Sequence, residues 1–278
     1  MFGKVVGRFF LGPHCGITGD EDEDTITLSE LVETFPHWPS IVSQMKEKNK
    51  YLYTMFETTD IHPMIVENMK CFDKVIVPFD YLKNILERRG VTCESMNWYT
   101  SDLIRMKPPV LPKTINPNSQ IFLYVGTNDT RKNVTTLTKV FAKAMEGTKH
   151  LLIVKTNKDD GLTWSTNIKI MTDKISLEKL AALYNVCDYV ISFTRGEGVG
   201  LPMLEANYFK KPVIAHDQGV FEDIKKCIQS EWITVPCKEI DISLDGVPSY
   251  LHQVFYGTWF DVDEEEAYKV LKHVVSKS

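Results

Sequence analysis

Short apolar segments alternate with amphipathic segments of helical length, and this alternation occurs in two separate blocks. Apolar runs such as 121–125 and 151–155 are typical of buried parallel strands, and the segment 134–145 is typical of a helix that packs on a sheet. Strands that alternate with helices form βαβ units and therefore a parallel sheet. The pattern predicts an α/β fold with two sheets.

A proline-rich segment separates the two blocks. Between Lys107 and Pro117 the chain has four prolines and little periodic pattern, which is typical of a stiff linker. We therefore predict an N-terminal Rossmann-like domain over residues 1–107, a linker over 108–118 and a C-terminal Rossmann-like domain over 119–278. Two such domains would leave a cleft between them, and ligands of such folds bind where strands end and loops enter helices.

The same pattern assigns the individual elements. In the first block we predict a glycine-rich loop at 12–19 and an acidic, solvated run at 20–24. The predicted strands of this block are 4–11, 51–56 and 74–77, and the predicted helices are 27–35, 41–48, 63–72 and 81–89. In the second block we predict strands at 121–125, 151–155, 168–171, 189–193 and 212–215, and helices at 134–145, 176–184 and 201–209.

Composition excludes several classes of function. The 278 residues include 32 Lys plus Arg against 37 Asp plus Glu, so the net charge of −5 gives no general attraction to nucleic acid. The six cysteines form no CxxC pair, and no apolar stretch approaches the ~20 residues of a membrane span. We expect a cytoplasmic protein without a structural metal. Peripheral membrane association and the oligomeric state stay open.

The most informative segment is RGEGVGLPMLEANYF, which begins at Arg195. Its glycines lie between a strand and a helix, so the main chain can approach a ligand closely and its amides can bind an anion or a hydroxyl. Glu197 in the loop and Glu205 in the helix would offer two carboxylates to one polyhydroxyl ligand. The alternative is a plain turn followed by a surface glutamate, but apolar neighbours of Glu205 predict that it is partly buried and has a partner.

A second segment, GTNDTRKN, also lies between a strand and a helix. Arg131 and Lys132 place two cations near a helix N-terminus, where the helix dipole already favours anions. A diphosphate would compensate these charges. The alternative is two solvated basic residues in a loop.

These residues carry a resemblance to a known family. EGVGLPMLEA resembles the E-x7-E signature of family 4 retaining glycosyltransferases of GT-B fold, and GTNDTRKNVTTLTKVFAKA resembles the first loop and helix of their donor domain. FETTDIHPMIVENMKCFDKVIVPFDYLKNILERRGV is similar to the end of their acceptor domain. ISLEKLAALYNVCDYVISFTRGEG resembles the segment that leads into the signature, and KKPVIAHDQGVFEDI resembles the segment that follows it. The similar segments run in order from Phe56 to Ile224. The resemblance implies a GT-B fold, in which two Rossmann-like domains with parallel sheets face each other across a cleft.

The resemblance also implies roles for individual residues. Glu197 would contact hydroxyls of the donor sugar, and Lys132 with Arg131 would neutralise the diphosphate leaving group without a metal. Glu205 would hold the ribose hydroxyls of a nucleotide sugar such as a UDP- or GDP-sugar. The implied donor-binding positions are Gly126, Thr127, Gly198, Val199, Gly200, Leu201 and Glu205.

The sequence departs from the family pattern at two places. Many members have Arg where this chain has Thr127, so one phosphate cation is missing unless Arg131 replaces it. Members also have a longer N-terminal domain with a His that contacts the transferred sugar. Here His14 and His62 are the available candidates, although each is more often structural or exposed. Glu57 and Asp60 are candidates for acceptor binding.

The resulting hypothesis is a retaining glycosyltransferase of the hexosyltransferase type, which transfers a sugar from a nucleoside-diphosphate sugar to a hydroxyl of a glycan, lipid or protein. A protein that binds a nucleotide or glycan without turnover is the alternative that Thr127 and the short first domain favour. An oxidoreductase that binds a dinucleotide through the G-x-G-x-G string is a third, disfavoured because paired glutamates surround the string.

Overall fold

The computed structural model describes residues 16–19, 50–96, 119–244 and 255–276, together with Ser43 and Leu103. The predicted strand at 4–11, the acidic run at 20–24, the helix at 27–35, most of the helix at 41–48 and the linker at 108–118 lie outside the described residues. The chain divides into two compact units. The first comprises 1–99, 197–199 and 246–258, and the second comprises 100–196, 200–245 and 259–278.

The first unit contains a four-stranded sheet in the order β1-β2-β3-β4. Strands β2, β3 and β4 are parallel, as predicted, whereas β1 pairs antiparallel with β2. The purely parallel sheet predicted for this block is therefore wrong at its edge, where part of the expected glycine-rich loop forms a strand. The elements are β1 (Gly16–Gly19), β2 (Lys50–Tyr53), α1 (Pro63–Met69), β3 (Lys74–Val77), α2 (Asp80–Arg88) and β4 (Cys93–Ser95).

The second unit is built on a six-stranded, fully parallel sheet. Its strands and helices alternate along the chain as β5 (Ile121–Val125), α3 (Val134–Ala144), β6 (Leu151–Lys155), β7 (Ile168–Met171), α4 (Leu177–Val186), β8 (Tyr189–Ile191), α5 (Leu201–Tyr208), β9 (Val213–Ala215), α6 (Val220–Cys227) and β10 (Trp232–Thr234). A two-stranded sheet of β11 (Cys237–Asp241) and β12 (Thr258–Val262) follows, and then α7 (Glu264–Ser276).

The order of the strands across this sheet is β7-β6-β5-β8-β9-β10. The chain starts in the middle with β5, runs outward through β6 and β7, returns to β8 beside β5, and then runs outward in the other direction. This is the doubly wound order, and the reversal between β5 and β8 is the position at which ligands bind in such sheets.

The core of the second unit follows from the periodicity of its strands and helices. All of β5 except its last residue is buried, because both faces of the sheet are covered. Helix α3 buries Val134, Leu137, Phe141 and neighbours at helical spacing, and the same cluster includes Ala267, Leu271 and Val274 of α7. Helix α7 therefore packs against α3 and completes this core.

Several predicted boundaries are too long by one to three residues. The helix predicted at 63–72 ends at Met69, and the strand predicted at 189–193 ends at Ile191. The elements that the pattern did not predict are α7 and six shorter ones: β1, β4, α6, β10, β11 and β12. Among the described residues, no helix combines the length and the apolar character needed to cross a bilayer.

Candidate functional site

Two loops flank the point at which the strand order of the second unit reverses. Loop 126–133 joins β5 to α3, and loop 192–200 joins β8 to α5. Since β5 and β8 are parallel neighbours, both loops leave the same edge of the sheet. These are the two segments that the sequence singled out for chemistry.

Hydrogen bonds link the two loops directly. The Arg131 guanidinium donates from Nη1 to the Gly196 carbonyl at 2.7 Å, and the Arg195 amide donates to the Arg131 carbonyl at 2.8 Å. Thr194 Oγ1 donates to the same Gly196 carbonyl at 3.0 Å. The structure therefore brings the two predicted segments together, and Arg131 takes part in joining them.

Glu205 lies in α5 and is 7% exposed, so the prediction that it is buried beside a partner is confirmed. The partner is Tyr184 of α4, whose hydroxyl donates to Glu205 Oε2 at 2.7 Å. Burial, and then the nearby Glu205 carboxylate, raise the pKa of Tyr184 well above its usual value, so the phenol keeps the proton that it donates. This bond fixes the orientation of the carboxylate.

Helix α5 begins at Leu201 after Gly200, whose φ of 66° lies in the left-handed region that glycine adopts without strain. A Cβ on Gly200 would also lie 2.5 Å from Cδ1 of Ile224. The preceding residues 197–199 belong to the first unit, where a Cβ on Gly198 would lie 2.7 Å from Cγ of Met55. Glu197 is 9% exposed, and Val199 is buried.

The first loop is organised by Asp129. Its carboxylate accepts a bond from the Lys132 amide at 2.8 Å and another from the Thr127 hydroxyl at 2.6 Å. Gly126 donates its amide to the Lys155 carbonyl at the end of β6, at 3.1 Å. Thr127, where the family pattern has Arg, is exposed and is held within its own loop.

Sequence reasoning missed three side chains beside these loops. The Arg195 guanidinium forms an ion pair with Asp261 of β12, with 2.8 Å between Nε and Oδ1. His216 follows β9, is 1% exposed and has Nε2 2.8 Å from the Thr194 carbonyl, while the Gln218 amide donates to its Nδ1. Because Nδ1 accepts, Nε2 carries the hydrogen and donates it to Thr194. In the sequence, the signal for His216 is its position directly after the predicted strand at 212–215.

The candidates of the first unit have structural partners. Asp60 accepts a bond from Arg89 Nε at 3.0 Å and another from the Ile61 amide. His62 Nδ1 accepts the Met64 amide and so caps α1, and its ring packs edge-on against Tyr256. Glu57 is half-buried, and His14 lies outside the described residues.

Across the ranges that the structure describes, no group of three or more His, Cys, Asp or Glu side chains is arranged to hold a metal ion.

Solved structures that resemble this chain are GT-B glycosyltransferases. A TarM mutant from S. aureus in complex with fondaparinux, alpha-GlcNAc-glycerol and UDP has a TM-score of 0.58 at 15% identity, covering 88% of this chain and 47% of that one. An α,α-trehalose-phosphate synthase (UDP-forming) from Burkholderia vietnamiensis has a TM-score of 0.53 at 10% identity, with 72% and 58% covered. The sucrose-phosphate synthase of Thermosynechococcus elongatus has a TM-score of 0.50 at 18% identity, with 76% and 56% covered.

These likenesses confirm the predicted α/β fold of GT-B type, and the chain spans about half the length of each of these structures. No curated protein sequence matches the chain. The family model described as "Glycosyl transferases group 1" matches residues 112–252, which is half of the chain and includes both loops of the site. This chain belongs to the glycosyl transferases group 1 family.

Proposed function

We propose that this chain transfers a sugar from a nucleoside-diphosphate sugar to a hydroxyl of a glycan, lipid or protein acceptor, with retention of the anomeric configuration. The observation that carries the proposal is the pair of hydrogen-bonded loops at the reversal of strand order, in a chain of the glycosyl transferases group 1 family. Ligands of doubly wound sheets bind at this position.

In this proposal Glu205 binds the nucleoside end of the donor. A carboxylate accepts hydrogen bonds from vicinal hydroxyls, and a ribose presents two of them. Tyr184 holds this carboxylate in a buried position, so little conformational entropy is lost when a ligand binds. The first nucleotide to test is UDP, because the TarM structure contains UDP.

The diphosphate is assigned to Lys132, Arg131 and the main-chain amides at the start of α5. When the bond between the sugar C1 and the diphosphate oxygen breaks, negative charge develops on that oxygen, and positioned cations and amides stabilise it. Lys132 lies at the end of loop 126–133, one residue before the N-cap of α3. In this proposal protein groups supply the positive charge, and no metal is required.

The proposed reaction forms a bond between the acceptor oxygen and C1 on the face that the diphosphate leaves. The proton of the acceptor hydroxyl passes to the departing diphosphate oxygen, so charge and atoms balance. Glu197 contacts hydroxyls of the donor sugar in this scheme and orients C1 toward the acceptor. The acceptor class is left broad because the acceptor side carries no motif of comparable specificity.

A second candidate function is binding of a nucleotide or glycan without turnover. Two observations favour it: Thr127 replaces the arginine of the family pattern, and the Arg131 guanidinium donates to the Gly196 carbonyl. If Arg131 serves only to join the loops, then Lys132 must neutralise most of the negative charge of the diphosphate without a second cation. Turnover of the donor separates the two candidates.

The test measures thermal shift of the purified chain with UDP, GDP, ADP, TDP and NAD, because a ligand that binds only the folded state raises its melting temperature. We expect a rise with one nucleoside diphosphate, a loss of about tenfold in affinity for Lys132→Ala, and a weaker rise for Glu205→Gln. Lys139→Ala is the matched control, since Lys139 is an exposed lysine of α3 that pairs with Glu264.

Release of nucleoside diphosphate from the matching nucleotide sugar then distinguishes the enzyme from the binding protein. Binding without any release supports the second candidate. A shift with NAD alone overturns the proposed transfer and favours the dinucleotide-binding oxidoreductase. The anomeric configuration of the product, read by NMR, tests retention: an inverted product overturns the proposed geometry while leaving sugar transfer in place.

A further inference from the structure

One carboxylate oxygen accepts hydrogen bonds from both loops. Asp261 Oδ1 accepts a hydrogen bond from Arg195 Nε at 2.8 Å and another from Asn133 Nδ2 at 2.9 Å. Arg195 lies in loop 192–200, and Asn133 is the last residue of loop 126–133. Asp261 itself comes from β12, which is outside the six-stranded sheet. A third segment of the chain therefore connects the two loops at the strand-order reversal.

Arg195 strengthens this connection through its other donors. Its Nη1 donates to the Thr130 carbonyl at 2.9 Å, so the guanidinium spans from β12 to the first loop. The Arg195 carbonyl accepts the Phe260 amide at 3.0 Å, so main-chain and side-chain bonds run between the same two segments. The planar guanidinium suits such a fork, which a lysine ammonium cannot reproduce.

The Asn133 contact has a further effect on the first loop. Asn133 has a φ of 52°, a left-handed conformation that asparagine tolerates better than most residues, and it is the N-cap of α3. Its side chain does not cap the helix and instead donates to Asp261. The direction in which α3 leaves the loop is therefore tied to β12.

Burial makes this cluster stronger than an ordinary surface pair. The side chains of Arg195 and Asp261 are 18% and 24% exposed, whereas the Lys139 and Glu264 side chains on the outside of the unit are 63% and 47% exposed. Salt and solvent screen this partly buried pair less than they screen the exposed pair. Removing one partner leaves a partly buried charge without its counterion, which costs more than losing an exposed pair.

We infer that Asp261, acting through Arg195 and Asn133, is a positioning residue that holds loops 126–133 and 192–200 at the spacing needed to bind the diphosphate of the donor. This inference rests on the proposed function. Asp261 touches neither the donor nor the acceptor in this scheme. Its effect is to pre-organise Lys132 and the main-chain amides at the start of α5, so that binding does not have to order them.

The experiment compares Asp261→Ala with a matched variant at the amino ends of the six-stranded sheet. Asp188 Oδ2 accepts the Ile121 amide at 2.9 Å, so Asp188→Ala also removes a carboxylate that holds main chain. The dissociation constants of UDP and GDP are measured by calorimetry, and melting temperatures are measured in parallel. We expect Asp261→Ala to weaken nucleotide binding by about tenfold to a hundredfold, and Asp188→Ala to lower the melting temperature with binding unchanged.

Two further variants keep the test decisive if Asp261→Ala does not fold. Asp261→Asn retains an acceptor but loses the charge, and Arg195→Lys retains the charge but loses the fork. Both are expected to weaken binding by less than Asp261→Ala does, while the wild-type melting temperature is nearly kept. A purely stabilising role would lower melting temperatures without changing the dissociation constant, and that result would overturn the inference.

The outcomes also separate this inference from the proposed function. If the wild-type chain binds no nucleoside diphosphate, the proposed function fails and the inference fails with it. If the wild-type chain binds one and all the Asp261 and Arg195 variants bind it equally well, the proposed function stands and only the positioning role is wrong.

Discussion

At the amino ends of the six-stranded sheet, polar side chains hold the main chain where strands begin, whereas at the carboxyl ends they join one loop to another. Before the strands, Asp188 accepts the Ile121 amide and His150 Nδ1 accepts the Gln120 amide. After the strands, Arg131 reaches Gly196, and Arg195 reaches Thr130. The bonds at the amino ends hold the starts of strands in the sheet, and the bonds at the carboxyl ends hold the loops 126–133 and 192–200 against each other.

This difference teaches which substitutions should affect stability and which should affect binding. A hydrogen bond that holds the start of a strand stabilises the fold whether or not a ligand is bound, because it does not involve the loops at the carboxyl ends. A bond between two loops contributes little to the sheet and much to the arrangement of the groups that they carry. The two ends of one sheet therefore offer matched variants.

The largest effect is expected for Glu197→Gln, in the loop that follows β8. The substitution keeps the size of the side chain and removes its charge, so the contacts with sugar hydroxyls that the proposal gives Glu197 would weaken in the transition state. We expect kcat for sugar transfer or donor hydrolysis to fall by about a hundredfold, with the melting temperature nearly unchanged. Glu222→Gln, an exposed glutamate of α6 paired with Lys226, is the control. Full activity of folded Glu197→Gln would refute its assigned role.

A smaller effect, of the opposite kind, is expected for Asn167→Ala at the amino ends. The Asn167 side chain is buried and donates to the carbonyls of Thr148 at 3.1 Å and His150 at 2.8 Å. Both carbonyls lose a donor in the variant, which should cost about 1–3 kcal/mol of unfolding free energy. Urea denaturation measures this loss, and calorimetry with nucleoside diphosphate should show unchanged affinity. A change in affinity without a change in stability would break the comparison between the two ends.

The smallest effect is a pH dependence at the same amino-end cluster. Burial, and then the Lys272 ammonium, lower the pKa of His150, and protonation would place a hydrogen on the Nδ1 that accepts the Gln120 amide. Because the pKa is lower in the folded state, the stability is present above the unfolded value of about 6.5 and is lost as the pH falls through the folded pKa. We expect the melting temperature to decline in that range, and less so in His150→Gln. An equal decline in both proteins would place the acid sensitivity elsewhere.

Most of the second unit could be predicted from the sequence because its periodicity is strong. The apolar runs of β5 and β6 have the length of buried strands, and the two loops lie where such runs are followed by helices. The burial of Glu205 followed from its apolar neighbours. Its partner did not, because Tyr184 lies 21 residues away on another helix, and local pattern carries no information about such a pairing.

The missed features share a physical cause. Strand β10 has three half-buried residues and β11 alternates only partly, so neither shows a clear period of two. Strand β1 has a glycine at each end, a composition that favours turns. The contribution of Asp261 was also invisible in the sequence, because its bonds reach Arg195 and Asn133 across 66 and 128 residues. Long-range polar contacts of this kind become visible only when the fold is known.

The same separation along the chain has a consequence for the order of folding. The strands from β5 to β10 end at Thr234, before the chain reaches β12. Contacts between distant residues form late, because the intervening loop must be closed first. We therefore expect the parallel sheet to become protected from hydrogen exchange first, and the bonds of Arg195 and Asn133 to Asp261 to form only when the segment with Asp261 docks.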